Sequence, residues 1–208
     1  MAGLELMRVL TEMARERPIF HNKADLKDAL VKVTKRLCPV ADVELDYRPF
    51  AGHGWRLDLW MSEAGRSVAV HMAYPTRAFC FRTKVDRFDL KTQGACDQHR
   101  YDFWRSVSRL EHTVRVGAAS AGCALLLTND HLYWTPSARP LVADEAFHLH
   151  DGCTRAGRLA WTAKAGPGTT AGREEPVDLV GTYRPSWADY ACLSAEGAGT
   201  FRYLLLTV

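Results

Sequence analysis

The run Cys123-Ala124-Leu125-Leu126-Leu127-Thr128 constrains this chain more than any other segment. It has the length of a strand and no polar alternation, and because successive strand side chains point to opposite faces, both faces must be covered. Two helical stretches can supply that cover. One begins after Asn22, an N-cap with Asp25 three residues on, and presents Leu26, Ala29, Leu30, Val33 and Leu37 on one face up to Pro39. The other spans residues 94–116 and carries Phe103, Val107, Leu110 and Val114 at helical spacing. Strand signals at 43–47, 55–61 and 67–74, with a less regular stretch at 78–84, predict a meander of three or four strands between them. Helix, strands, helix and buried strand in that order describe an α/β sandwich, a mixed sheet flanked by helices.

The flanking segments add to this frame. Residues 4–16 read as an amphipathic helix with Leu6, Val9, Leu10 and Met13 on one side, ended near Pro18. It is expected as an N-terminal extension, 1–17, beside a single domain, 18–208. Additional C-terminal strands are expected at 146–150, 158–162, 177–183 and 201–208, and the glycine-containing stretch 163–175 reads as a mobile loop. A chain of 208 residues with 47% apolar composition can bury one substantial core.

Charge is uneven along the chain. Residues 1–115 carry 20 Lys and Arg against 15 Asp and Glu, whereas residues 116–208 carry 7 against 9. A basic first part suits a polyanionic partner such as nucleic acid, or simply a solvated surface. Cys38, Cys80, Cys96, Cys123, Cys153 and Cys192 form no C-x-x-C pair and follow no signal-peptide pattern. They are expected as reduced, mostly buried thiols of a cytoplasmic protein. No apolar run approaches the ~20 residues that cross a bilayer, so no membrane partner is expected.

Within 67–74, alternation puts Val68, Val70, Met72 and Tyr74 on one face and Ala69, His71 and Ala73 on the other. Within 55–61 it separates Trp55, Leu57, Leu59 and Met61 from Arg56, Asp58 and Trp60. Asp58 and His71 therefore point the same way from neighbouring strands. A carboxylate there can hold a divalent cation that activates water against a phosphodiester, or it can pair with Arg56 or another neighbour. On the second long helix, Arg105 and Arg109 are four residues apart and Arg100 lies a turn earlier, a spacing that can reach phosphates. Tyr101 and Trp104 among them suit either base stacking or core packing. His148 and His150 form an H-x-H pair without a third ligand at recognisable spacing. Asp130 and His131 follow a strand end, where a turn role fits as well as a cleft. No G-x-S-x-G, Walker or dinucleotide-binding glycine pattern is present.

Several segments together resemble the PD-(D/E)XK, or restriction-endonuclease-like, superfamily, and within it a group of bacterial proteins. They are Phe20-His21-Asn22-Lys23-Ala24-Asp25-Leu26, Arg56-Leu57-Asp58-Leu59-Trp60, Phe88-Asp89-Leu90-Lys91-Thr92-Gln93-Gly94-Ala95, Arg100-Tyr101-Asp102-Phe103 and Leu127-Thr128-Asn129-Asp130, with the tail segments Tyr183-Arg184-Pro185-Ser186-Trp187 and Phe201-Arg202-Tyr203-Leu204-Leu205. The resemblance runs from residue 18 almost to the end. It implies a restriction-endonuclease-like mixed sheet and makes Asp58 the first metal-binding acid. The second acid and the lysine of a Glu-x-Lys strand would fall at His71 and Ala73, and Lys23 stands where the group tends to have Glu.

These departures imply a nucleic-acid-binding protein, for DNA rather than RNA, with lost or weakened metal-dependent cleavage. Magnesium prefers oxygen ligands, so an imidazole at 71 shifts the preference toward manganese or zinc. Loss of the lysine removes an electrostatic contribution often worth ~10²-fold in rate. An active form would use Asp58 and His71 for magnesium or manganese, a migrated lysine at 91 or 84, and Gln93 to orient water. A disabled form needs no metal, and a protein-interaction module on the same scaffold is the remaining alternative.

Overall fold

The computed structural model describes residues 2–51 and 54–208, with side chains from residue 6 onward. The chain begins with α1 (Ala2–Glu16) and α2 (Lys23–Leu37), followed by β1 (Asp42–Leu45), β2 (Leu59–Glu63) and β3 (Arg66–Ala73). A ribbon of β4 (Phe79–Arg82) and β5 (Arg87–Leu90) leads into α3 (Cys96–Arg115) and β6 (Ala121–Thr128). After these come β7 (Arg155–Leu159), a single turn α4 (Pro167–Thr170), β8 (Val177–Tyr183), β9 (Trp187–Cys192) and β10 (Thr200–Thr207).

The main sheet has six strands in the order β1-β2-β3-β6-β10-β9. β1, β2 and β3 form an antiparallel meander, β3 and β6 are parallel, and β10 is antiparallel to both β6 and β9. A parallel pair needs a long crossover, and α3 supplies it. The meander has three strands, not four: β4 leaves the sheet and pairs only with β5.

The run at 123–128 is the central strand that its composition demands. Cys123, Leu125 and Leu127 face α1 and α2 in one buried cluster, while Ala124 and Leu126 face α3 in another. Helix α2 starts as predicted, with the Asn22 side chain accepting the Asp25 amide at 3.0 Å. On the opposite face α3 comes so close to β6 that a Cβ on Gly122 would meet Val208 Cγ2 at 2.5 Å and Leu110 Cβ at 3.0 Å. No larger residue fits there without displacing one of them.

The first helix is not an add-on. Leu6, Val9, Leu10 and Met13 are buried in the same cluster as Leu26, Leu30, Val70 and Leu125, and α1 lies against α2, β6, β9 and β10. Its apolar stripe covers part of the sheet that α2 alone leaves open. The expected strand at 146–150 is also absent, replaced by a 3₁₀ turn at Glu145–Phe147 and an irregular segment that buries Phe147 and Leu149. The stretch read as a mobile loop is tied down: the Gln98 amide donates to the Gly168 and Thr169 carbonyls, Tyr101 to Glu175, and Trp161 to Arg173. The cysteines are all free, but only Cys123 and Cys153 are buried, while Cys80 and Cys192 are exposed. Among the described residues no helix is long and apolar enough to cross a membrane.

Candidate functional site

The site grows out of a bend at Asp58. Asp58 N–H donates to the Val70 carbonyl, but Leu57 N–H turns to Tyr47 instead, so the ladder between β2 and β3 ends there. This separates Leu57 from Leu59: Leu57 packs on the α3 side and Leu59 on the α1 and α2 side, where simple alternation would have kept them together. The Met72 amide lies beyond the last rung and donates to Asp58 Oδ2 at 2.7 Å. The carboxylate thus replaces a missing strand partner, satisfying a buried donor that would otherwise be costly.

Its other oxygen is also engaged. Lys23, in the first turn of α2, places Nζ 2.7 Å from Asp58 Oδ1. One turn on, Lys27 Nζ lies 3.9 Å from the same oxygen and 2.7 Å from Asp46 Oδ1. The i, i+4 spacing of the two lysines puts both ammonium groups over the bend. The partner expected from the sequence was Arg56 or another neighbour, and it is Lys23.

His71 reaches the same carboxylate from β3. Its Nδ1 is 3.1 Å from Asp58 Oδ2, but off the line of a hydrogen bond, so the nitrogen stays unpartnered. Burial pushes the imidazole down to about 4, against the upward pull of Asp58, and the charges of Lys23 and Arg109 lower it further. The ring is neutral near pH 7. Ala73, where a lysine would complete the motif, is packed against the α3-side core.

The other candidates lie elsewhere. Lys91 and Gln93 follow β5 and are exposed, and what fixes them is backbone: the Lys91 carbonyl accepts from the Thr76 hydroxyl, and the Gln93 amide donates to the Thr76 carbonyl. Neither side chain is bonded to Asp58 or His71, and Lys84 is exposed at the tip of the ribbon. Of the α3 arginines, Arg105 forms an ion pair with Asp102 at 2.9 Å over the Tyr101 ring, and half-buried Arg109 lies 5.9 Å above Trp55. Arg100 is not a surface cation. It turns inward to Asp144 at 2.5 Å and the Leu132 carbonyl, because α3 must anchor the 130–148 segment there. Tyr101 and Trp104 are buried, each donating to a backbone carbonyl, and belong to the core.

Asp130 caps the 3₁₀ turn that follows β6 by accepting the Leu132 amide, a turn role. His148 sits 3.4 Å from Asp144, and its ring centroid is 6.0 Å from that of His150. Among the described residues no three His, Cys, Asp or Glu side chains converge as a metal group. At Asp58 one oxygen is held by an ammonium and the other by an amide, with a single imidazole beside them. That set does not fit magnesium, which wants several oxygen ligands in octahedral array. Sequence reasoning marked Lys23 only as a departure and missed Lys27 and Asp46 altogether, although the Lys23/Lys27 spacing after the Asn22 cap was a readable signal. No protein-family model, curated protein or solved structure matches this chain.

Proposed function

We propose that this protein binds nucleic acid, DNA ahead of RNA, on a restriction-endonuclease-like scaffold whose metal-dependent cleavage has been lost. One observation carries the reading: the Asp58 carboxylate is neutralised by Lys23 at 2.7 Å, at the place where a divalent cation would have to sit. The setting is consistent with it, since Asp58 opens β2 opposite His71 on β3 in a mixed sheet with helices on both faces. Lys23 remains partly open at the bend, and Arg105 and Arg109 are partly open on α3. Cations so placed hold a phosphate backbone by charge, without base-specific contacts.

The test pairs a cleavage assay with a binding assay. With magnesium or manganese the native chain leaves duplex and single-stranded DNA intact, while its affinity for labelled duplex falls linearly with the logarithm of salt concentration. A Lys23→Glu, His71→Glu, Ala73→Lys variant adds two carboxylates to Asp58 and supplies the lysine, and gains metal-dependent cleavage. Cleavage by the native chain that Asp58→Ala abolishes overturns the proposal. Absence of DNA or RNA binding even at low salt transfers the scaffold to a protein partner.

A further inference from the structure

The β4–β5 ribbon carries a pairing that its own stability does not call for. Arg82 and Arg87 stand directly opposite each other across the two strands, and like charges in that position destabilise a ribbon. Among the described residues neither guanidinium is paired with a carboxylate. Of the two acids in the ribbon, Asp86 turns to His21 at 2.9 Å and Asp89 accepts from the Cys80 thiol at 3.2 Å. Charge often guards the free edge of a ribbon against unwanted pairing, but a single cation serves that end without the repulsion of two.

Alternation divides the ribbon into two faces. Phe79, Phe81, Phe88 and Leu90 turn to the α1 and α2 core, where Phe88 stacks on His21 at 4.4 Å. Cys80, Arg82, Arg87 and Asp89 are exposed on the other face. The ribbon is pinned at both ends. At its tip the Thr83 hydroxyl accepts the Val85 and Asp86 amides, and at its base the Thr76 hydroxyl donates to the Lys91 carbonyl and the Ala78 amide to the Thr92 hydroxyl. Val85 is 94% exposed at the tip and Lys84 is exposed beside it, so that end stands clear of the body.

Resting on the nucleic-acid reading above, we infer that the outer face of this ribbon enters the major groove of duplex DNA, with Arg82 and Arg87 forking onto guanine edges. Two strands about 5 Å apart, with their side chains, fit a groove about 12 Å wide. A guanidinium fork matches N7 and O6 of guanine, and acceptors at the base edges relieve the repulsion between the two facing cations. Lys84 at the tip and Lys91 at the base are exposed and placed for the flanking phosphates. The major groove of duplex RNA is too deep and narrow to admit the ribbon, which gives the preference for DNA a physical ground.

Fluorescence anisotropy with a labelled G·C-rich DNA duplex, the same duplex with every guanine replaced by 7-deazaguanine, and the RNA duplex of equal sequence tests this. The native chain binds the first about tenfold more tightly than either of the others. Arg82→Lys with Arg87→Lys keeps both charges and loses both forks, so it weakens the guanine duplex to the level of the 7-deazaguanine duplex and leaves the salt slope unchanged. Arg82→Gln with Arg87→Gln weakens the guanine duplex at least as much, and does not lower the melting temperature, because the cross-strand repulsion is gone. Equal affinity of the native chain for guanine and 7-deazaguanine duplexes overturns the groove assignment. So does a salt slope that falls by about two in the glutamine variant while guanine discrimination survives, which places the arginines on phosphates. DNA binding that neither double variant changes overturns the role of the ribbon and leaves the nucleic-acid reading standing. Absence of binding to all three duplexes at low salt overturns both, and concentration-dependent self-association lost in the glutamine variant then assigns the ribbon to a second copy of the chain.

Discussion

Two ionic clusters lie at the margins of this sheet, and they are built to opposite ends. Around Arg100, Asp144 and His148 the groups are nearly closed off: Arg100 keeps 12% of its side-chain surface, and its guanidinium bonds both Asp144 and the Leu132 carbonyl. Burial pushes the Asp144 carboxyl up, but the His148 imidazole 3.4 Å away and the Arg100 charge outweigh it and bring the group down to about 2. Around Lys23, Asp58 and His71 the cluster is half open. Lys23 is 40% exposed, His71 is 21% exposed, and the imidazole faces Asp58 without bonding it. A nearly dry cluster held from several sides fixes a fold; a half-open one can still exchange partners with solvent.

The largest expected effect falls on the closed cluster. Arg100→Met strands Asp144 in the interior and costs about 3–5 kcal/mol, read from the shift in denaturant midpoint at constant m-value. Arg100→Lys recovers only part of this, since an ammonium cannot serve carboxylate and carbonyl as a planar fork does. A loss below about 1 kcal/mol would show that the 130–148 segment is not anchored through Arg100.

Acid separates the clusters next. His71 is held down to about 4 when folded, against an ordinary imidazole value near 6.5, so the unfolded chain binds more protons between those values. Stability therefore falls as pH drops from 6.5 toward 4, by at most about 3 kcal/mol and less for the ring's residual exposure. Asp144 loses its contribution in a lower window, from 3.8 down to about 2. Denaturation across pH should show the upper step disappear in His71→Phe while the lower step survives. A single acid transition unaffected by His71→Phe would erase the distinction.

The smallest effect is at Lys23. Lys23→Met costs no more than about 1 kcal/mol, because the lysine is partly hydrated and Lys27 remains 3.9 Å from Asp58. Its clearer signature is electrostatic: removing the Lys23 charge moves the His71 titration upward, and Asp58→Asn moves it downward, both measurable by NMR of the ring. An unchanged His71 in Lys23→Met would mean that the three groups do not act as one cluster.

Some of this was legible along the chain. The doubly covered strand at 123–128, the Asn22 cap and the alternation that aims Asp58 and His71 at each other are local patterns, set by a helix period of 3.6 and a strand period of 2. The ribbon β4–β5 and the edge strand β9 were missed or misassigned because they are short and carry polar residues at paired positions. The irregular segment around Phe147 imitated a strand because Phe147 and Leu149 alternate with polar residues, although Phe147, His148 and Leu149 are all buried there without strand pairing.

Sequence alone therefore determined the layered α/β class, its central strand, and the place where Asp58 and His71 meet. Tertiary structure alone decided that α1 belongs to the core, that Arg100 points inward, and that Lys23 covers the Asp58 carboxylate. The reason is physical: periodicity fixes which face a side chain takes within its own element, whereas its partner depends on how segments far apart in the chain pack together.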